Sequence, residues 1–502
     1  MEASLRKLSY PCYQMVFTQN YSLSEGQESV VPDTLPDIAA ILYTSAAPLI
    51  RSKDVSDGRV RLEVNVPARV SCEGEDGTVF CLDVNIPFYL SAQEEAIGVE
   101  SKCVVNLTLC QIEARMLNPR KISVRADLDV RLECYLPGML DSSAAPEDDA
   151  AALHVLERSA DVSCVSCVTE KTFVLTDEAE LPDALPAAAE IMAQCAAVSV
   201  QDVKAVGSKV IASGTVRSEI LYRCDEGMLH SFSFSTTFSQ IIETDCEAEN
   251  ALVELRVLLS GMYYEIIPGA DMRELAMELH LVAQVVLRST QRITYLADAY
   301  SNAFALDVQR ESRCLPDCCG MRLLRESGRA LMETPTEPER VISLRAEPIS
   351  AEVEGGAVEA RLRLVLCYEG EGGCCTVQRV AAQRLESALE PGQSLRICGV
   401  SVPEASAIAT EGGAEARFTV EVQVLISQEQ TLDAICAISY DETQRNDTDA
   451  LPTLVMLRAD QSRDLWELAK ANCSTVEAIC AANALPEPGT AWEKLLIIPK
   501  AP

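Results

Sequence analysis

Side chains that commonly carry catalysis are scarce in this sequence. Only three histidines occur among its 502 residues, His154, His230 and His280. His230 alternates in phase with Met228 and Phe232 along "MLHSFSFS", which is typical of one face of a strand rather than of a catalytic base. The chain has no nucleophile elbow, zinc-protease motif or phosphate-binding loop. The sequence therefore predicts no catalytic residues, no cofactor and no enzymatic activity.

Cysteine is the second residue type that could do chemistry, because thiolates bind metals and form disulfides. The count is 21, an odd number. The CxxC motif from Cys164 to Cys167 has no second pair and no nearby histidine pair, so it lacks the spacing of a zinc site. The doublets at 318–319 and 374–375 lack it too. We expect reduced thiols that pack as small apolar side chains, and no metal.

Charge narrows the class of partner. The formal net charge is −34, which disfavours nucleic acid and anionic membrane surfaces, because both are bound by clustered Lys and Arg. No stretch of about 18 uninterrupted apolar residues is present, so we expect no direct membrane insertion. The first residues, "MEASLRKLSYPCYQMVF", lack the apolar core and cleavage site of a signal peptide, which predicts a cytoplasmic protein.

Internal repeats indicate how the chain is organised. Three segments each run glycine, strand, tight turn, strand, and their matching residues Val60, Val210 and Val358 lie about 150 residues apart. Apolar and polar residues alternate along them, as in antiparallel strands that bury one face. The pattern predicts three repeats of mainly β structure. A further alternating strand closes each repeat, at 122–134, 275–285 and 418–424.

Two of the repeats begin with a related proline-bearing segment. The stretch "VVPDTLPDIAAIL" at 30–42 matches "ELPDALPAAAEIM" at 180–192. Proline disfavours helix before these points and is well tolerated in the first turn of a helix. We therefore expect a short amphipathic helix after each proline pair.

Changes of pattern and composition divide the chain, and its length fits about three or four domains. The polar, acidic stretches "DSSAAPEDDAA" and "DETQRNDTDA" are typical of linkers. The predicted order is an N-terminal segment 1–29, repeat 1 at 30–137, a linker 138–164, repeat 2 at 165–290, a connector 291–339, a divergent repeat 3 at 340–428, a linker 441–450 and a terminal domain 451–502.

The terminal domain has a pattern of its own, two short helices between two strands. The strands are predicted at 454–458 and 495–498. The helices begin at Asp464 and Ser474, each of which is followed three residues later by glutamate, as in a capping box. Helical spacing places Trp466 among leucines on the inner face, so we interpret it as a core residue.

These motifs resemble two known families. The stretch "PDIAAIL", the "DGRV" hairpin and the strand "NPRKISVRADLDV" are similar to the SPOCS domain, formerly DUF3794, of Gram-positive spore formers. The terminal β-α-α-β order is similar to a LysM domain. The resemblance implies a mainly β fold, with three β-sandwich-like SPOCS repeats followed by a small βααβ LysM domain. This architecture occurs in clostridial spore-coat morphogenetic proteins.

The resemblance also implies a function. Proteins of this architecture are non-enzymatic adaptors of spore envelope assembly in the mother-cell cytoplasm, at the forespore surface and spore coat. They tether the coat layer to the forespore by binding a coat-basement ATPase like stage IV sporulation protein A. Other LysM domains bind peptidoglycan or another N-acetylglucosamine polymer. A peptidoglycan-binding protein of the cell wall or cortex is therefore the alternative.

Five residues of the terminal domain are the candidates for protein or glycan binding. Glycan-binding LysM domains begin helix one with Gly-Asp-Thr-Leu-Trp, and this chain has Arg463 in place of that Asp, whereas Asn483 keeps the family's residue. Trp492 is either exposed in the loop before strand two or packed on that strand. The domain carries five Lys and Arg against six Asp and Glu, so it lacks the acidic repulsion of the remainder. The candidates are Asp460, Arg463, Asp464, Asn483 and Trp492.

Overall fold

The structure, a computed structural model, is dominated by antiparallel strands, and the mainly β prediction is confirmed. Within the described part of the chain only two short helices occur, both near the C-terminus. Neither helix is long and apolar enough to cross a membrane. The structure describes residues 2–146, 152–268, 271–447, 452–458, 464–485 and 495–501.

The strands before the terminal domain fall into three successive units. Unit 1 contains β1 (Leu5–Val30), β2 (Ile38–Ala46), β3 (Leu49–Ser56), β4 (Arg59–Gly74), β5 (Val79–Gln93), β6 (Lys102–Asn118) and β7 (Lys121–Pro146). Unit 2 contains β8 (Leu153–Glu180), β9 (Glu190–Val206), β10 (Lys209–Arg223), β11 (Leu229–Glu243), β12 (Leu252–Ile266) and β13 (Glu274–Ser301). Unit 3 contains β14 (Phe304–Glu333), β15 (Pro338–Glu354), β16 (Ala357–Gly370), β17 (Gly373–Glu386), β18 (Gln393–Thr410) and β19 (Gly413–Arg445).

Each unit combines two sheets of the same strand order. One set of strands runs β1-β7-β6, β8-β13-β12 or β14-β19-β18, and the other runs β9-β10-β11 or β15-β16-β17. The sets of units 1 and 2 join through β1 and β8 into one six-stranded sheet. In unit 1 the strand equivalent to β9 is split into β2 and β3, which both pair with β4. Pro48 lies at the split, where its missing N–H interrupts the ladder.

The alternation read from the sequence explains how the two sheets pack. Val60 and Val66 on β4, and Ile122 and Leu128 on β7, are all buried in one cluster between the sheets of unit 1. Each such side chain contributes about 1.5–3 kcal/mol by leaving water. Unit 3 repeats the arrangement with residues of β16 and β19. Each unit is therefore a β-sandwich-like body with its own core.

The expectation of a helix after each proline pair is wrong. Residues 33–35 form a turn, and β2 and β9 follow as strands. In unit 1 the guanidinium of Arg120 donates to three carbonyls of the turn, those of Val31, Pro32 and Leu35. In unit 2 Arg273 donates to the equivalent carbonyls, those of Leu181, Pro182 and Leu185. The two arginines fix the turn backbone by satisfying its carbonyls, and the chain leaves each turn extended.

The units contact one another head to tail around an apolar cluster to which all three contribute. At each junction a side chain on the edge strand of one unit donates to a backbone carbonyl of the next. Because the third unit reaches back to the first, the contacts close into a ring with approximate three-fold symmetry. The three bonds run from Cys81 to Met192, from Ser231 to Ile342 and from Thr376 to Leu42.

Several segments that the sequence indicated as linkers are strands. The predicted N-terminal segment 1–29 lies largely in β1. The predicted linker 138–164 lies in β7 and β8 except for Ala152 and for 147–151, which fall outside the described residues. The predicted connector 291–339 forms the end of β13, all of β14 and the start of β15, and the predicted linker 441–450 begins inside β19.

These predicted linkers form strands because of long-range packing, which a local sequence pattern does not show. The antiparallel pairs β1–β7, β8–β13 and β14–β19 extend beyond the sandwich cores as three two-stranded ribbons. We call these outer halves the three-ribbon bundle. Its interior holds residues from different ribbons, such as Val162, Ile293 and Leu432. A second cluster, with Leu296 and Ile438, lies next to it.

Candidate interaction site

The terminal domain has the predicted strand and helix order. It contains β20 (Leu454–Arg458), α1 (Leu465–Ala471), α2 (Val476–Asn483) and β21 (Leu495–Pro499), and β20 and β21 pair antiparallel. Its core comprises Leu465, Trp466, Leu468, Ala469, Ile479, Leu496 and Ile498.

The N-cap residue is the predicted one in α1 but a different one in α2. Asp464 caps α1, because its Oδ1 accepts the Trp466 N–H at 3.2 Å. The cap of α2 is Thr475, whose Oγ1 accepts the Ala478 N–H at 3.0 Å, so the prediction of a Ser474 cap is wrong. The Ser474 hydroxyl instead donates to the carbonyl of Pro499, and this bond joins the start of α2 to the end of β21.

The polar atoms of Asn483 are used inside the domain. Its Nδ2 donates to the Ile479 carbonyl at 2.7 Å and to the Ile497 carbonyl at 2.6 Å. Its Oδ1 accepts the Ile497 N–H at 2.8 Å. The side chain thus pairs with β21 as a neighbouring strand would, and it fastens α2 to the sheet. These contacts make Asn483 a structural residue of this domain.

Trp466 joins the terminal domain to the ribbon bundle. It is buried, as the sequence indicated, and its indole Nε1 donates to Asp298 Oδ2 of β13 at 2.8 Å. Lys470, one turn later on α1, donates to the same oxygen at 2.7 Å. The other oxygen, Oδ1, accepts from Arg310 at 2.7 Å. One carboxylate therefore joins α1 to two strands of the bundle.

The electrostatics of Asp298 favour its charged form. Burial by itself raises the pKa of this carboxyl group, but the hydrogen bonds from Lys470 and Trp466 outweigh burial and lower the pKa below its ordinary value. The carboxylate is therefore ionised while the domain is docked. Charge-assisted hydrogen bonds of this kind are stronger than neutral ones.

Tyr300 at the end of β13 and Asn302 just after it complete this junction. The Tyr300 hydroxyl donates to the Ser474 carbonyl at 2.9 Å, and its ring meets Trp466 edge-on with 4.9 Å between centroids. Asn302 Nδ2 donates to the Ala501 carbonyl at 3.1 Å. The junction thus contacts α1, the turn before α2 and the residues after β21, so it fixes the orientation of the domain.

The face of the domain sheet that points away from its core is exposed and largely apolar, with the charged Arg458 at one end of it. Leu454 and Met456 of β20 and Leu495 of β21 are each about half exposed, and the ladder pairs Met456 with Ile497. We call Leu454, Met456, Leu495 and Ile497 the open sheet face. Clustered exposed apolar side chains of this kind are typical of interaction sites.

Three of the predicted binding residues, Asp460, Arg463 and Trp492, lie outside the described residues. The other two candidates lie within the described residues, where Asp464 caps α1 and Asn483 connects α2 to β21. Sequence reasoning missed the junction residues, chiefly Asp298 and Tyr300. A buried tryptophan with a polar nitrogen was the available indication, because such an N–H requires a partner.

The histidines considered for chemistry each pack against a tyrosine ring. His230 stacks on Tyr222, and burial and the nearby Arg340 lower its pKa. Cys164 and Cys167 are both buried, which raises the pKa of each thiol to about 11, so both are neutral thiols. Among the described residues, no group of three or more His, Cys, Asp or Glu side chains could hold a metal ion.

Comparison with known proteins finds one family. Residues 188–267 match the family model described as SipL, SPOCS domain. Unit 2 is similar to a SPOCS domain. The matched segment contains β9 to β12, and it lies inside the predicted second repeat. No curated protein and no solved structure matches the chain.

Proposed function

We propose that this protein is a non-enzymatic adaptor of spore envelope assembly in the mother-cell cytoplasm. In this proposal the three units are SPOCS repeats and the terminal domain is a LysM domain. The chain tethers the coat layer to the forespore surface by binding a coat-basement ATPase like stage IV sporulation protein A. The SPOCS match in unit 2 supports a sporulation-related interaction role, and the shared strand order extends that interpretation to units 1 and 3.

The open sheet face is the observation that supports a protein as the binding partner. An exposed apolar surface on a small domain of nearly balanced charge can approach a neutral or acidic protein closely. The junction with β13 holds this face in one orientation, which reduces the entropy lost on binding. Arg463 and Trp492 belong to the residue types enriched at binding hot spots, and we propose that they extend the contact.

The proposal includes the absence of catalysis. Its support is the packing of each histidine against a tyrosine ring and the neutral state of the CxxC thiols. Robust turnover of muropeptides or nucleotides by the purified protein, abolished by one substitution, would disprove this part.

Peptidoglycan binding is the second candidate, and the βααβ order of the terminal domain supports it. Less favourable to it is the engagement of Asn483, the residue shared with glycan-binding relatives, in bonds to Ile479 and Ile497. In this alternative the domain would target the chain to N-acetylglucosamine polymers in the cell wall or cortex.

Affinity capture separates the two candidates. The full chain, the chain without 451–502, and full-length Met456→Glu are used as baits in extracts of sporulating cells and on purified peptidoglycan. Leu331→Glu, a change at a similarly exposed leucine on β14, is the matched control. We expect the ATPase to be retained by the full chain and the control but lost with the other two. Retention on peptidoglycan with no capture of the ATPase would support the second candidate instead.

A further inference from the structure

Two cysteines of unit 3 meet across the hairpin of β16 and β17. The Sγ atoms of Cys367 and Cys374 are 3.4 Å apart. Cys367 pairs with Thr376 in the ladder, so Cys374 lies diagonally opposite it on the same face of the sheet. Both thiols are free, and both pack in the apolar cluster to which the three units contribute. The two sulfur atoms are therefore in contact beside the junctions of the ring.

The next residue along β17 is also a cysteine, but it points the other way. Cys375 pairs with Tyr368 and packs against the core between the sheets of unit 3. Because successive side chains of a strand point to opposite faces, Cys375 and Cys367 lie on opposite sides of the sheet. Of the two neighbouring thiols on β17, Cys374 is thus the one placed to reach Cys367.

The matching hairpins of the other units do not have this pair. Unit 1 has Ser71 and Val79 at the two positions, and unit 2 has Leu221 and Leu229. The leucine pair fills the same apolar cluster, so packing at these positions does not require sulfur. Of the three described hairpins at the cluster, the one in unit 3 alone has two thiols at these positions.

The surroundings make one thiol more acidic than the other. Cys367 is buried, whereas Cys374 is partly exposed next to the exposed turn at 371–373. The hydrogen bond from Cys367 lowers the pKa of Cys374, and together with the nearby Arg340 it outweighs burial. The same hydrogen bond and burial raise the pKa of Cys367. Cys374 is therefore the more readily ionised thiol and the better nucleophile.

We propose that Cys367 and Cys374 form a reversible disulfide when the protein meets hydrogen peroxide. The ionised sulfur of Cys374 attacks one peroxide oxygen, the O–O bond breaks, and Cys374 becomes a sulfenic acid. The departing hydroxide takes the proton of Cys367 and leaves as water. The Cys367 thiolate then attacks the Cys374 sulfur and displaces hydroxide, which takes up from solvent the proton that Cys374 had released. Two thiols and one peroxide thus give one disulfide and two water molecules.

Closing the bond requires a small movement. The sulfur atoms must approach from 3.4 Å to about 2.05 Å, the length of a disulfide bond. Gly372 and Gly373 join the two strands with φ of 110°, and glycine gives this end of the hairpin the freedom to adjust. The bond would fix the start of β17 beside Thr376, whose hydroxyl donates to a carbonyl of unit 1. The inference concerns unit 3 and does not depend on the proposed adaptor role.

Oxidation of the reduced full-length protein with hydrogen peroxide tests the inference. Remaining thiols are blocked with N-ethylmaleimide, and cleavage after Glu369 and Glu371 separates Cys367 from Cys374. Mass spectrometry then detects the disulfide as two joined peptides. We expect the joined peptides after peroxide treatment and their separation by dithiothreitol.

Cys314 is the internal comparison for reactivity. It is exposed, but its thiol is hydrogen-bonded to Glu429, which raises its pKa. A protonated thiol reacts slowly with peroxide, so Cys314 should be oxidised later than Cys374 despite its exposure. Free Cys367 and Cys374 at a peroxide concentration that already oxidises Cys314 would overturn the inference.

Two variants assign the disulfide to this pair. Cys375→Ser removes the neighbouring thiol on the opposite face and should leave the joined peptides intact. The double variant Cys367→Ser with Cys374→Val has the residues that unit 1 has at these positions, so it should fold and should lose the joined peptides. Loss of the joined peptides in folded Cys375→Ser would show that Cys375, not Cys374, is the partner of Cys367 and would refute the proposal.

Discussion

Asp298 and Trp466 are joined by a hydrogen bond of 2.8 Å from the indole Nε1 to the carboxylate Oδ2. This bond connects the only helical part of the described chain with a strand of unit 2. Lys470 shares the same oxygen. The orientation of the terminal domain, and with it the direction in which the open sheet face points, therefore depends strongly on one carboxylate.

Asp298→Ala should release the terminal domain without unfolding the units. The substitution removes the acceptor of the charged Lys470 and of the neutral Trp466 indole. Loss of the charged hydrogen bond alone should reduce the free energy of docking by about 1.5–3 kcal/mol. Fluorescence of Trp466, measured in a Trp492→Phe background, should shift to the red as the indole becomes wet. Glu467→Gln, on the exposed side of α1, is the matched control and should leave the spectrum unchanged. An unshifted spectrum in Asp298→Ala would show that this bond does not hold the domain.

Docking should weaken in acid. The pKa of docked Asp298 is lower than its ordinary value of 3.8. A depressed pKa stabilises the docked state fully above the ordinary value, and the contribution is lost as the pH falls through the docked pKa. The fluorescence of Trp466 should therefore change at a pH below about 4. Asp298→Asn should remove this transition, and its persistence in that variant would assign it to another group.

Asn483→Asp should destabilise the terminal domain. The change replaces the Nδ2 donor with an oxygen that faces the carbonyls of Ile479 and Ile497. Leaving these acceptors unpaired beside a new charge costs about 1–3 kcal/mol or more. Hydrogen exchange of the α2 and β21 amides should accelerate, while exchange in β4 stays as in the wild type. Unaltered exchange with loss of partner binding would instead identify Asn483 as a contact residue.

Ser231→Ala tests the ring of units. The Ser231 hydroxyl donates to the Ile342 carbonyl across the junction of units 2 and 3. We expect a loss of about 1 kcal/mol in the free energy of unfolding, because the carbonyl is left without this donor. Ser233→Ala, at an exposed position two residues later on the same strand, is the control. Equal unfolding midpoints for the two variants would mean that the bond adds nothing.

How far the sequence predicts this fold depends on the range of the interactions. The alternation from Val60 to Val66 shows which face of β4 is buried, because that information is local. The outer half of β14 mixes Arg, Glu and Cys, so no local pattern reveals that it pairs with β19. Long-range pairing decides its conformation.

The same limit applies to the site. The caps of α1 and the burial of Trp466 follow from spacing within one helix. The partner of Trp466 does not, since Asp298 lies in a different unit and in a segment that composition assigned to a connector. The proline-bearing turns show a third case, because Arg120 fixes the turn at Leu35 from a distant hairpin. In these two cases a side chain distant in sequence satisfies a local backbone or ring atom.

The most direct test of the adaptor account is the affinity of the purified full-length chain for the coat-basement ATPase, with chitin oligomers as the competing ligand. We predict tight binding to the ATPase that Arg463→Glu or Trp492→Ala weakens about thirty-fold, the equivalent of about 2 kcal/mol. Leu331→Glu should bind as the wild type does. Binding to chitin oligomers that is independent of Arg463, with none to the ATPase, would contradict the account.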